Sequence, residues 1–257
     1  YIYFERRACS QNQRLKMRTI FEDEDLLVLD KPPGITVNRS DTTLNETTVQ
    51  DYAERIFKLN GEDSESEFYK RSGIVHRLDK ETSGVLLVAK NQEAFENLQR
   101  QFKERLIQKT YLALVHGIPK PEVGEISTPL GRLPWNRKRF GVLTGGREAI
   151  TEYKVLSIKY LVSRKGREPL ALVEVRPRTG RTHQIRVHLK SFGHPIFADE
   201  LYAGRKVSRD DRRKLPRIFL HAAKIKIRHP KSNEEVLFVS DLPGDLKHFL
   251  DRTLESA

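Results

Sequence analysis

The stretch SGIVHRLDKETSGVLLVAK, residues 72–90, decides the fold because it joins a polar segment directly to an apolar one. Its last part, Val85–Ala89, has no polar residue to turn toward water, which predicts a strand buried on both faces. The polar part, HRLDKETSG, holds Arg77, Asp79 and Lys80 in one short run. A carboxylate between two cations is typical of a surface turn, and on its own Asp79 indicates no more than that.

Short apolar runs bounded by turn residues predict further strands on both sides of this stretch. They are Leu26–Leu29, Tyr111–Val115, Thr151–Ile158, Leu170–Val175, Ile218–Ile227 and Val236–Val239, the last two separated by a turn at His229–Asn233. Apolar residues at helical spacing predict one helix within 48–59, capped by Thr48, and another capped by Asn91, whereas the acidic run 60–67 predicts a loop. Strands dominate without a regular strand–helix alternation, which favours an α+β fold over a doubly wound sheet.

The composition points to a polyanionic partner. The 257 residues, enough for one core or for two lobes, include 47 Lys and Arg against 35 Asp and Glu, a net charge of +12. No apolar run approaches the ~20 residues of a membrane span, so we expect nucleic acid and no membrane.

The presence of only one cysteine is consistent with a reducing compartment. Cys9 is the single cysteine, which excludes a disulfide within the chain and a cysteine-based zinc site. The chain begins at Tyr1, and its first twenty residues are polar and basic, unlike a signal peptide. We therefore expect a cytoplasmic monomer with a polar arm at 1–19 and one structured domain at 20–257.

Two segments concentrate positive charge. In RLPWNRKR, residues 132–139, the cations Arg132, Arg137, Lys138 and Arg139 flank Trp135 on both sides. Cations beside an aromatic ring suit a flexible single strand, because phosphate contacts and base stacking act together. The segment 205–217 holds seven Lys and Arg. Each segment alone is equally compatible with a solvated loop, and the net charge favours RNA contact.

A second informative stretch is RPRTGRTHQIRVHLKSFG, residues 176–193. Thr182 is a plausible helix cap, yet Ile185, Val187 and Leu189 alternate as they would in a strand. The stretch is also rich in arginine, which by itself indicates only a basic surface.

Five blocks of this sequence, in this order, resemble the RluA-type family of pseudouridine synthases. They are FEDEDLLVLDKPPG at 21–34, HRLDKETSGVLLVAK at 76–90, KTYLALVHG at 109–117, RPRTGRTHQIRVHLKSFGHPIFADELYAG at 176–204 and FLHAAKIKIRHP at 219–230. The resemblance implies a mostly antiparallel, bent mixed sheet with flanking helices, and two lobes around a central active-site cleft. It also implies that HQIRVHL lies on a helix, against its alternation.

The resemblance also implies roles for individual residues. Asp79 matches the catalytic carboxylate, and Arg186 matches the arginine that pairs with it. Arg77 matches the arginine that fills the space of the flipped-out base. Tyr111 matches the tyrosine that stacks on the target uracil and is a candidate proton acceptor. We further expect substrate contacts from His76, Arg181, Trp135, Arg137, Lys138 and Arg139.

The implied reaction isomerises a uridine that is already part of an RNA chain. The base must leave its stack before its glycosidic bond can be reached. The carboxylate then attacks the sugar or the base, or removes a proton from the sugar, and the sequence leaves these routes open. No step changes redox state, so we expect no cofactor and no metal. The block 129–153 favours large-subunit ribosomal RNA over transfer RNA as the substrate.

Other functions fit the sequence less well. A non-catalytic RNA-binding protein explains the charge but not the joint presence of Asp79, Tyr111 and Arg186. His183, His188 and His194 suggest a metal-dependent hydrolase as an alternative. Its ligands would need to lie together, and His183 and His188 are five residues apart rather than on one helix face. No GxGxxG motif supports a dinucleotide enzyme. Departures from the family pattern at Asn38, Ala198 and 232–234 concern loops and substrate choice.

Overall fold

The computed structural model describes residues 17–40, 43, 46–57, 65–163 and 166–256. Most of the expected arm at 1–19, Cys9, and most of the loop expected at 60–67 lie outside these ranges. At their edges, Arg18 already belongs to the first strand and Glu67 begins a short helix.

The described residues form twelve strands. They are β1 (Arg18–Glu22), β2 (Leu26–Lys31), β3 (Ser83–Ala89), β4 (Gln108–His116), β5 (Val123–Ser127), β6 (Leu130–Leu133), β7 (Asn136–Val142), β8 (Ile150–Ser163), β9 (Gly166–Pro177), β10 (Leu220–Arg228), β11 (Glu235–Val239) and β12 (Glu255–Ser256).

The helices of the described chain are short and interspersed among the strands. They are α1 (Val49–Phe57), α2 (Glu67–Lys70), α3 (Gln92–Lys103), α4 (Gln184–Ser191), α5 (Arg205–Arg212) and α6 (Gly244–His248), the last continuing into a π-helical turn at Phe249–Thr253. No helix in this part of the chain combines the length and the apolar character needed to cross a membrane. The α+β class and the predominance of antiparallel strands are confirmed.

One ten-stranded sheet organises the molecule. Its order is β1-β2-β3-β10-β4-β9-β8-β12, with β11 on β10 and β5 on β8, while β6 and β7 form a separate two-stranded sheet. The pair β3–β10 is parallel, whereas the other pairs are antiparallel.

The parallel pair brings two parts of the cleft together. Gly84 faces Ala222 on β10, and Ala222 in turn faces Tyr111 on β4. Gly84 has φ +115°, and a Cβ there would lie 2.2 Å from the Ala222 carbonyl oxygen, so only glycine fits. The loop before β3, which contains Asp79, therefore ends one strand away from β4, the strand that carries Tyr111.

The central strand β3 is buried on both faces, as its apolar sequence predicts. Alternate residues contribute to two separate cores, Val85 and Leu87 to one and Leu86 and Val88 to the other. Helix α3 covers the first core and α1 covers the second. A third core lies between β4, β9 and the C-terminal helices. The loop that contains Asp79 is thus attached to a strand that is buried along its whole length.

Two predicted helix caps are confirmed. The hydroxyl oxygen of Thr48 accepts a hydrogen bond from the Asp51 amide at 3.2 Å, and the Asp51 carboxylate accepts one from the Thr48 amide at 2.7 Å. At the start of α3, the side-chain oxygen of Asn91 accepts from the Ala94 amide at 2.9 Å.

Helix α4 confirms that HQIRVHL lies on a helix, as the resemblance implies. Its N-terminus differs from the predicted one. The helix begins after His183, which has φ 55° and makes no capping hydrogen bond, so the prediction that Thr182 is the cap is wrong. The side chain of Gln184 instead holds the preceding turn, because its oxygen accepts from the Arg181 amide and from the Thr179 hydroxyl. Each residue from Gln184 to Leu189 is buried, so the helix has no polar face and no helical periodicity.

Candidate active site

A cleft of about 530 Å³ opens beside the loop that precedes β3. Its walls come from residues 75–82, from 102–111 at the end of α3 and the start of β4, and from 177–186 at the start of α4. Of the residues predicted for the site, the cleft brings together six, namely His76, Arg77, Asp79, Tyr111, Arg181 and Arg186.

Arg186 fixes the position of Asp79. Its Nη1 donates to Asp79 Oδ2 at 3.0 Å, and its Nε and Nη2 donate to the two oxygens of Asp199 at 2.8 Å each. Burial alone would lower the pKa of Arg186, but Asp199 and then Asp79 offset this, so its pKa lies above the ordinary value. The guanidinium is therefore always charged and holds Asp79 toward the cleft. Sequence reasoning anticipated Arg186 but missed Asp199.

Buried Lys31 supports the loop of Asp79 from one side. Its Nζ donates to the carbonyl oxygens of Pro32, Ile35 and Lys80 at 2.9, 2.8 and 3.1 Å. Burial lowers its pKa to about 7, against the opposing effect of Asp79. Since Lys80 follows Asp79 directly, Lys31 fixes the backbone that carries the carboxylate.

Two arginines support the same loop from the other side. Arg212 binds the Glu81 carboxylate through both terminal nitrogens, at 2.8 and 2.5 Å. Arg217 donates to the Glu81 carbonyl oxygen and pairs with Asp245. Both arginines belong to the basic segment 205–217, so two of its seven cations support the loop of Asp79. That segment was expected to contact RNA, and this part of its charge serves the fold instead.

Tyr111 lies in the cleft near Asp79. Burial, and after it the charge of Asp79, raises the pKa of Tyr111 well above its ordinary value. The side chain is thus a protonated phenol at neutral pH. To accept a proton from a substrate, the Tyr111 hydroxyl would have to release its own proton at the same time.

His76 is a neutral imidazole. Its Nε2 accepts a hydrogen bond from the Leu87 amide at 2.9 Å, and its ring lies 5.0 Å from the ring of Phe102. Burial, followed by the charges of Lys109 and Arg71, lowers its pKa to about 3. Because Nε2 is already used, Nδ1–H is the group of His76 that remains for a substrate.

The two remaining predicted arginines of the cleft differ in how they are held. Arg77 is exposed on the cleft wall and has no ion-pair partner among the described residues. The Nε of Arg181 donates to the Glu148 carbonyl oxygen at 3.1 Å, which holds its side chain against the protein.

The basic hairpin β6–β7 stands apart from the cleft. Trp135 at its tip is 77% exposed, and Arg137, Lys138 and Arg139 follow it on β7. None of these four predicted residues lines the cleft. Outside its tip the hairpin is anchored, because Phe140 packs with a buried cluster that contains Val187 of α4.

Tyr202, which sequence reasoning missed, and His183, which it considered only as a metal ligand, connect this hairpin to Asp79. The Tyr202 hydroxyl accepts from the Phe140 amide at 3.0 Å and lies 2.8 Å from His183 Nδ1. A hydroxyl that donates to Nδ1 leaves the ring proton on Nε2, which is 3.9 Å from Asp79 Oδ1. Burial lowers the pKa of His183, which keeps the ring neutral despite the nearby Asp79.

The three histidines considered for a metal site point to separate partners. His183 faces Tyr202, His188 lies between Thr151 and the Thr128 carbonyl, and His194 faces the His116 carbonyl. Within the described ranges, the one group of potential metal ligands is Asp23, Asp25 and His229, on the opposite end of β2 from Lys31. The arrangement of these histidines gives no support to a metal-dependent hydrolase.

Comparisons with known proteins show the family of this chain. A family model described as RNA pseudouridylate synthase matches residues 25–191. An "Uncharacterized RNA pseudouridine synthase" of Aquifex aeolicus is 43% identical over 196 residues, which cover 76% of this chain and 59% of that protein. A "Ribosomal large subunit pseudouridine synthase D" of Nitrosomonas europaea is 37% identical over 243 residues, 93% of this chain and 66% of that protein.

A solved structure shares the fold. "Human RNA Pseudouridylate Synthase Domain Containing 1" superposes with a TM-score of 0.71 at 27% identity, covering 94% of this chain and 89% of that one. The chain thus matches this structure over nearly its whole length, although it spans about three fifths to two thirds of the two bacterial relatives.

Proposed function

This chain belongs to the RNA pseudouridylate synthase family, and from that premise we propose that it converts uridines of RNA to pseudouridine, with Asp79 as the catalytic carboxylate. The observation that carries the proposal is the position of Asp79. It lies in the cleft, bound on one side by a permanently charged arginine, and its loop leads into a fully buried strand. Such preorganisation favours a carboxylate that acts on a substrate over one that merely closes a turn.

The proposed reaction rearranges a single nucleotide. The bond between N1 and C1′ breaks, the uracil turns, and a bond between C5 and C1′ forms. A proton leaves C5, and N1 gains one, so the product is an isomer of the substrate. Asp79 supplies the negative charge or the nucleophile, while Arg186 keeps it oriented through a charge-assisted hydrogen bond. Tyr111 provides the flat surface on which the uracil stacks.

The target base must first be turned out of its RNA stack. Arg77 is exposed at the rim of the cleft without an ion-pair partner among the described residues, so it is available to fill the space that the base leaves. The hairpin tip with Trp135 then contacts the flanking strand through stacking and phosphate pairing.

We propose large-subunit ribosomal RNA as the substrate, with residues 20–257 as the catalytic domain. The name of the relative from Nitrosomonas europaea, 37% identical, supports this choice. Mapping pseudouridines in ribosomal and transfer RNA from cells that lack the gene tests it. Loss of a pseudouridine from transfer RNA alone would redirect the proposal to that substrate.

The role of Asp79 is tested by Asp79→Asn, which keeps the shape and removes the charge. Tritium release from RNA labelled at uridine C5 should disappear, while RNA binding persists. Asp251→Asn, at an exposed position outside the cleft, is the matched control and should keep full activity. Turnover by Asp79→Asn near that of the wild type would contradict the catalytic role of Asp79. No turnover by the wild type would instead favour the alternative of a non-catalytic RNA-binding protein.

A further inference from the structure

We propose that Lys109 binds a backbone phosphate of the RNA next to the target uridine. Sequence reasoning gave this lysine no role. The proposal rests on the proposed function, since it identifies how the same cleft holds its polyanionic substrate. The hydrogen bonds, the charge balance and the position of this one side chain support it.

Lys109 is underused as a hydrogen-bond donor. It lines the cleft, and its Nζ donates to the Thr179 carbonyl oxygen at 3.1 Å across the opening. An ammonium group has three N–H donors. In the part of the chain that the structure describes, the other two have no acceptor. They are available to a group that enters the cleft.

Lys31 shows that this protein can satisfy all three donors of a lysine that is withdrawn from water. The two free donors of Lys109 are therefore not a general feature of its buried lysines. All three donors of Lys31 are bound to carbonyl oxygens, and this side chain is completely buried away from the cleft. Lys31 therefore has no donor left for a ligand and serves only to hold the fold. Lys109 has the same type of anchor once instead of three times, and it faces open space.

The charge of Lys109 is also uncompensated. Burial lowers its pKa to about 8, and no carboxylate offsets that effect. Asp79 is the one acidic residue among the described residues that line the cleft, and it is bound to Arg186. A cation withdrawn from water without a counter-ion is costly, and a bound phosphate would remove that cost. A neutral uracil carbonyl would fill the donors but would leave the charge unbalanced.

The position of Lys109 on β4 indicates which phosphate of the RNA it would bind. Lys109 and Tyr111 are two residues apart on β4, so their side chains leave the same face of the strand about 7 Å apart. With the uracil stacked on Tyr111, the sugar-phosphate next to that base is within reach of Lys109. We therefore assign Lys109 to the phosphate that directly flanks the flipped nucleotide.

The test uses Lys109→Gln and Lys109→Arg. Glutamine can still donate to the Thr179 carbonyl, so it keeps the structural hydrogen bond and removes the charge, whereas arginine keeps the charge. Affinity for a single-stranded oligouridylate is measured against KCl concentration. For Lys109→Gln, the slope of log K against log salt should become shallower by about 0.7, the change expected when the protein neutralises one phosphate fewer. Lys109→Arg should keep the wild-type slope.

The control is Lys247→Gln, which removes an exposed lysine outside the cleft and should leave the slope unchanged. An unchanged slope for Lys109→Gln would overturn the proposal, even if affinity fell, because a neutral contact releases no counter-ion. Tritium release by the wild type separates the two proposals. Its absence would contradict the synthase function, whereas an active wild type with an unchanged Lys109→Gln slope contradicts the phosphate site alone.

Discussion

Asp199 binds Arg186 through both of its carboxylate oxygens, at 2.8 Å each, and is itself completely buried. Its Oδ1 also accepts hydrogen bonds from the amides of Leu201 and Tyr202. The arginine that orients the Asp79 carboxylate is thus itself held by a second carboxylate. The negative charge of Asp199 stabilises the buried guanidinium whether or not RNA is bound.

Asp199→Asn is therefore expected to destabilise the fold. It leaves the Arg186 guanidinium without its main counter-charge, and breaking a buried pair costs on the order of 3–5 kcal/mol. The free energy of unfolding, from denaturant titration, measures the effect. Asp79→Asn is the control, because Arg186 keeps both bonds to Asp199 in that variant. Equal stability of Asp199→Asn and the wild type would contradict the supporting role.

The basic hairpin predicts a salt-dependent affinity. If about six phosphates are contacted on a single strand, log K should fall with log salt at a slope of roughly −4. Changing Arg137, Lys138 and Arg139 to glutamine together should make that slope shallower by about 2, if each binds one phosphate. Because these residues lie outside the cleft, saturating RNA should restore the turnover rate.

A second triple variant serves as the control for the hairpin. Lys190, Lys224 and Lys247 are exposed and do not line the cleft. Changing them to glutamine removes the same net charge from a different surface. If both triple variants flatten the slope equally, the affinity reflects total charge and not a hairpin contact.

The strands of the fold were predictable because their signal is local. β2, β3 and the strands at 111–115 and 170–175 are apolar runs between turn residues, and each lies within an observed strand. Helix α5 escaped prediction because six of its eight residues are charged. The hairpin β6–β7 escaped prediction because the run Arg137–Arg139 interrupts the alternation of apolar and polar residues typical of a strand. Helix α4 needed the family resemblance, since burial on all sides erases its pattern.

The site was predictable only where the family motif names a residue. Asp79, Tyr111 and Arg186 lie in the same cleft, as the motifs indicate. Asp199 and Lys31 were within the quoted blocks but received no role. Their importance comes from contacts made across the fold, such as the bond from Lys31 to Lys80, 49 residues away. Spacing along the chain contains no information about such contacts.

His76 predicts a loss of stability in acid. Its pKa is about 3 in the folded protein, against an ordinary value of 6.5, so between these values the unfolded chain binds the extra proton. Stability from this group is therefore complete above pH 6.5 and decreases as the pH falls toward 3, by up to about 1.4 kcal/mol per pH unit. His76→Gln can still accept the Leu87 amide and does not titrate.

The measurement is the free energy of unfolding of both proteins from pH 7 to pH 4. The wild type should lose stability faster than His76→Gln, and the difference isolates His76 from other titrating groups. His116, for example, has a raised pKa because its bonds to Asp211 and Glu168 outweigh the effect of burial, so its contribution runs in the opposite direction. Parallel curves for the two proteins would show that His76 does not stay neutral in the fold.

Tyr111 allows stacking to be separated from proton transfer. Tyr111→Phe keeps the flat ring and removes the hydroxyl, so RNA binding should match the wild type, since base stacking of about 1–3 kcal/mol is retained. Tyr111→Ala should lose that binding energy. If the hydroxyl takes part in the transfer of the C5 proton, Tyr111→Phe should also lose tritium release, despite normal binding.

The raised pKa of Tyr111 adds a further expectation, because a phenol that stays protonated gives no increase of the wild-type rate toward alkaline pH. The three proteins are compared in an RNA-binding assay and in a tritium-release assay at several pH values. Full turnover by Tyr111→Phe, with Tyr111→Ala impaired, would assign the side chain to stacking alone and remove its hydroxyl from the mechanism.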